Sequence, residues 1–171
     1  MEWYEILILV IALSLVIYMT VIAVRIIRYK VIVENITNMI KNDYPDAKIE
    51  TFKINDVYHL RVITNKEFLI KIIDMNPNHE LIITNSEKVV INDDIKNWKK
   101  STKPNFVDGI KTFIKLTSDT NPEKIVIIYP NCHNITKYIN ECDVYKVSKF
   151  QKVDSLLYVR YNEFQEYLKN Q

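Results

Sequence analysis

Lys124-Ile-Val-Ile-Ile-Tyr129, closed by Pro130, is an apolar run of strand length ended by a residue that cannot donate to a ladder. No polar residue alternates with the apolar ones from Ile125 to Ile128. The run therefore reads as a strand buried on both faces, which requires packed layers on either side of its sheet. The chain before it supplies candidates for that sheet. Lys48–Ile54, Val57–Ile63, Phe68–Ile73, Leu81–Thr84 and Val89–Ile91 read as strands. Asn55-Asp56, Asn65-Lys66, Asn76-Pro77-Asn78 and Asn85-Ser86 separate them as turns.

Helical periodicity fills the remainder. Ile32, Ile36, Met39 and Ile40 form one stripe, which Pro45 terminates. Asn105 is a candidate N-cap for a helix with Phe106, Ile110, Phe113 and Ile114 on one face. Asn134 would cap a short helix with Ile135, Tyr138, Ile139 and Cys142 turned inward. Val144–Val147 and Leu156–Arg160 are extended, and a last helix starting at Asn162 places Phe164, Tyr167 and Leu168 on one side. The order predicts an α/β sandwich around a mixed sheet: helix, β-meander, helix, strand, helix, strand, helix.

Upstream of this domain, Ile6–Val24 is nineteen residues without a charge. A helix of that length covers ~28 Å, close to the ~30 Å hydrocarbon core of a bilayer. Ser14 and Thr20 can bond back to their own backbone, and Trp3, Tyr4 and Tyr29 stand where interfacial rings are favoured. A cleaved signal peptide would want a basic start and a shorter apolar stretch, whereas this one begins with Glu2 and Glu5. The reading is a retained transmembrane anchor over residues 1–30, with lipid as the partner of residues 6–24. Arg25, Arg28 and Lys30 follow it and no Lys or Arg precedes it, so residues 31–171 are expected in the cytoplasm and the amino terminus outside. Cys132 and Cys142 would then be reduced thiols. Asn35-Ile-Thr37 and Asn134-Ile-Thr136 match the glycosylation pattern, but a cytoplasmic domain never meets that machinery.

Composition excludes several classes. One glycine among 171 residues rules out a phosphate-cradling glycine loop, and two cysteines cannot build a disulfide scaffold. Apolar residues at 48% and charged ones at 26% exclude wholesale disorder. Residues 31–171 carry 20 Lys and Arg against 19 Asp and Glu, a balance that does not support nucleic acid as a partner. The cluster Lys96, Lys99, Lys100 and Lys103 reads as a solvated loop. Cys132-His133 with Cys142 offers three zinc ligands where a structural site wants four, and His59 and His79 lack the context of a triad.

The run Asn105–Leu116, Lys124–Pro130, Asn134–Cys142 and Val144–Val147, preceded by a helix and a three-stranded meander, resembles the restriction-endonuclease-like superfamily. Two branches of that superfamily bear the resemblance, the nuclease-related domains often tethered to membranes and the type IV restriction enzymes. The resemblance covers about residues 31–160 and rests on the order of elements. It implies an acidic residue on one strand and an acidic-x-Lys pair on the next. Residues two apart on a strand face the same way, ~6.6 Å apart, so two carboxylates can share a divalent ion beside a lysine. Two frames fit the sequence. With 58–62 and 68–73 as the paired strands, the three positions hold Tyr58, Lys71 and Ile73, and the site is dead. Glu67 does not rescue it, being four strand positions from Lys71. With Glu80–Ile83 and Val89–Lys96 as the pair, Glu80, Asp94 and Lys96 supply all three groups, and Glu80 and Asp94 would hold Mg²⁺. The expectation is a membrane-anchored, non-catalytic domain that binds or scaffolds an unidentified protein partner and needs no cofactor. The alternatives are an active Mg²⁺-dependent nuclease using Glu80, Asp94 and Lys96, and an accessory subunit of a membrane complex.

Overall fold

A computed structural model of the chain describes residues 3–85, 87–92, 105–118, 120–139 and 143–170. By its internal contacts the chain divides into two compact units, Met1–Ile36 and Thr37–Gln171. One helix, α1 (Trp3–Asp43), supplies the first and enters the second, ending just before Pro45 as its sequence predicts. No Gly or Pro interrupts it, so nothing in its backbone forces an earlier stop.

In the second unit, β1 (Lys48–Thr51), β2 (Leu60–Ile63) and β3 (Glu67–Asp74) form an antiparallel meander. Next come β4 (Glu80–Asn85), β5 (Lys88–Asn92), β6 (Asn105–Phe106) and the short helix α2 (Ile110–Lys115). The decisive run is β7 (Glu123–Tyr129). It is followed by β8 (Ile135–Tyr138), β9 (Val144–Lys146), β10 (Lys152–Val153), β11 (Leu156–Arg160) and α3 (Tyr161–Lys169).

The strands make two mixed sheets where the sequence suggested one. The first has the order β1-β2-β3-β7-β11-β10 and the second β6-β5-β4-β8-β9. β7 lies at the centre of the first, parallel to both β3 and β11. Ile125 to Ile128 are all fully buried, as a strand covered on both faces must be. On one face Val126 and Ile128 join Leu69, Ile73, Leu156 and Tyr158 against Leu81, Ile83, Val89 and Ile135 of the second sheet, with Phe113 of α2. On the other face Ile125, Val62, Phe68 and Ile70 meet Phe164 and Leu168 of α3 and Ile40 and Tyr44. Tyr44 Oη donates to Leu168 O at 2.7 Å, closing that layer. The unit is thus layered helix, sheet, sheet.

Two predicted helices differ. Asn134–Cys142 is not a helix in its described part. Ile135–Tyr138 is strand β8, with Thr136 opposite Lys146 and Tyr138 opposite Val144, and Ile139 is exposed. The helix expected to follow Asn105 starts four residues late. Asn105 and Phe106 pair with Ile91 and Val90 as β6, and Gly109, in the left-handed region at φ 73°, is the residue that precedes α2. Phe106 is consequently exposed instead of facing the core.

Candidate functional site

Of the three residues nominated for metal chemistry, Glu80 opens β4 and lies opposite Asn92 of β5. Its carboxylate accepts from Thr136 Oγ1 at 3.1 Å. Asp94 and Lys96 lie outside the described residues. The other frame uses β2 and β3, which are indeed neighbours. There Tyr58 packs its ring edge-on against Phe52 at 4.7 Å, while Lys71 and Ile73 are both buried. Glu67, at the start of β3, is held by Arg61 Nε at 2.6 Å and by Thr120 Oγ1.

The buried polar centre is instead His59 with Lys71, the two buried polar or charged residues among the described ones. β2 begins at Leu60, opposite Ile70, while antiparallel β3 continues to Asp74, so the Ile72 N–H lies beyond the start of its partner strand. His59 Nδ1 accepts that N–H at 2.9 Å, and Nε2 donates to Ile54 O at 3.2 Å. The imidazole thus completes the ladder as a neutral ring with its proton on Nε2, a tautomer assigned from these partners. Burial, and secondarily the Lys71 charge, lowers its pKa to about 4 against the opposing pull of the Ile54 bond and Asp56.

Lys71 interrupts the apolar run of β3 and turns its ammonium toward the loop before β2, donating to Val57 O at 3.0 Å. Burial pulls its pKa down and the charge of Asp108 pulls it back. The one glycine of the chain sits over this group. A Cβ built on Gly109 would stand 3.1 Å from Lys71 Nζ, and its positive φ independently disfavours any side chain. Both His59 nitrogens are occupied by the fold, and Lys71 anchors a loop.

A third polar group gathers where β7 and β11 end. Arg160 reaches Cys132 O at 3.3 Å and Glu163 at 3.4 Å. The Cys132 thiol is buried, and burial raises its pKa against the opposing Arg160 charge, so the reactive thiolate is disfavoured. His133 is exposed, and Cys142 lies outside the described residues. Among the described residues no group of three or more His, Cys, Asp and Glu side chains is arranged to hold a metal ion.

The first unit carries a different kind of surface. α1 is long and apolar enough to cross a membrane, and none of its most apolar 18-residue window is buried. Large side chains from Ile6 to Val24 stand exposed all round. Ser14 Oγ donates to Val10 O and Thr20 Oγ1 to Val16 O, each at 2.8 Å, which removes their donors from the surroundings. Compared with models of known protein families, with curated proteins and with solved structures, the chain finds no match.

Proposed function

We propose that this chain is a single-pass membrane protein whose cytoplasmic α/β domain acts by binding a protein partner, without catalysis. The carrying observation is the bare apolar surface of α1 over Ile6–Val24. A soluble core helix of that composition would be mostly covered, and lipid is the solvent that accepts such a surface uncovered. Arg25, Arg28 and Lys30 support a cytoplasmic domain. The reading against catalysis is supported by where the reactive side chains are spent: His59 and Lys71 on backbone groups, Cys132 as a buried thiol. Kinship with restriction-endonuclease-like proteins is supported by β3 and β7 lying side by side, with α2 between them in the chain. In that frame Tyr58, Lys71 and Ile73 occupy the metal-site positions, which is the pattern of a relative without chemistry. The accessory-subunit reading falls within the same proposal, with a membrane complex as the partner.

Alkaline carbonate extraction of membranes from cells expressing the full chain tests the anchor. The protein is expected in the pellet, with residues 31–171 digested by protease only after the cytoplasmic side is opened. Recovery in the supernatant, or digestion from the outer side, overturns the anchor or its orientation. Incubation of the purified protein with DNA and Mg²⁺ tests the rest. Cleavage that Asp94→Ala abolishes would replace the binding reading with the nuclease one.

A further inference from the structure

Within α1, Tyr18 sits inside the apolar stretch, and its hydroxyl has no hydrogen-bond partner among the described residues. It cannot easily escape to water. The basic end of the stretch at Arg25 lies seven residues away, ~10 Å along the axis, and helix side chains lean toward the opposite, amino-terminal end. That lean carries the Tyr18 hydroxyl back about one turn, to the level of Ser14. Ser14 lies on the same face four residues earlier, and its oxygen retains lone pairs because its own proton is used on Val10 O. Ile11 and Ile22 flank the pair on this face, while Leu9 and Val16 are on the opposite one.

Resting on the transmembrane reading, we propose that this face is the interface of a parallel homodimer in which Tyr18 of each copy donates to Ser14 of the other. A second copy is the occupant these groups specify. Copies of one single-pass chain share an orientation, so a two-fold axis sets donor and acceptor at equal depth twice over. An unpaired phenol in hydrocarbon is unfavourable, and the dimer removes it without adding another. Arg25, on the same face, lies beyond the apolar stretch, where water and salt screen it from its counterpart.

Full-length protein carrying donor or acceptor fluorophores, reconstituted in phosphatidylcholine vesicles, is expected to show energy transfer that falls on dilution with lipid. Tyr18→Phe and Ser14→Ala each remove both symmetry-related bonds and are each expected to weaken association about 10- to 100-fold, twice the free energy of one membrane hydrogen bond. The double variant should be no weaker than either single one, and Thr20→Val should leave association unchanged. Added cysteines at Ile11 and Ile22 should cross-link copies above the background of the native chain, and those at Leu9 and Val16 should not. Protein that sediments with the vesicles but shows no transfer overturns the dimer and leaves the anchor standing. Failure to enter the vesicles overturns the anchor itself. A Tyr18→Phe variant as tightly paired as the parent rejects the Tyr18–Ser14 bond as what holds the copies together, and cross-linking at Leu9 and Val16 in place of Ile11 and Ile22 rejects this face.

Discussion

His59 shows how one side chain can substitute for a missing length of strand. Its two nitrogens satisfy a β3 amide and a loop carbonyl, so protonation of the ring must displace the Ile72 N–H. The unfolded imidazole titrates near 6.5 and the folded one at about 4, so between those values the unfolded chain binds more protons. This contribution to stability is complete above about pH 6.5 and is lost as pH falls toward about 4, by about 3 kcal/mol. Denaturant unfolding at a series of pH values should show that loss, and His59→Gln should flatten it in the same window. A parent whose profile matches that of the variant would show that the ring titrates normally when folded. Neither His59 nor Lys71 announced its place through local pattern alone, because a polar residue at a strand end or centre also suits a surface. Lys71 did leave a signal, a single charge inside Phe68–Ile73, where alternation would have placed several polar residues. The single glycine left another, since a lone Gly109 in so glycine-poor a chain marks a backbone position that excludes side chains.

Individual elements were legible where burial imposed a period and obscure where it did not. β7 and β11 read directly, because a strand with two covered faces is apolar throughout. The region 134–142 misled because Ile135, Tyr138 and Ile139 mimic helical spacing while only Ile135 is buried. What fixes Ile135–Tyr138 as a strand is pairing with β4 and β9, a tertiary fact invisible to local spacing. The turn between β10 and β11 is a further element-scale feature. Asp154 and Ser155 both have positive φ, at 50° and 70°, the geometry of a two-residue primed turn. Ser155→Gly, which leaves the Asp154–Lys137 ion pair in place, is expected to stabilise the domain by about 1 kcal/mol through relief of left-handed strain. Chemical denaturation would read it as a raised midpoint at constant slope, and a lowered midpoint would reject the argument.

At the scale of the molecule, β7 is shared by two cores. Val126 faces the second sheet and Ile127 the opposite side, both fully buried. Val126→Ala should cost about 2 kcal/mol and Ile127→Ala about 2–5 kcal/mol, each leaving a void in a different layer. Because the layers are separate, the double variant should lose close to the total of the two, measured by denaturant unfolding of the detergent-solubilised chain. Loss well short of that total would mean that the layers relax together. The three-layer plan was half readable: covered faces were evident from β7, but the division into two sheets depends on which strands pair across long loops. Glu80 was placed correctly on a strand, and its neighbour Thr136 came from that same non-local pairing.

The rims of the two sheets carry a last consequence. Their outermost strands β1, β10, β6 and β9 are two to four residues long, and β1, β9 and β10 bear Lys48, Glu50, Lys146 or Lys152. Short, charged borders are poor templates for a neighbour's backbone. Under the proposed membrane anchoring the chain would meet its own kind at high local density, and these borders would keep such encounters from growing into extended β-aggregates.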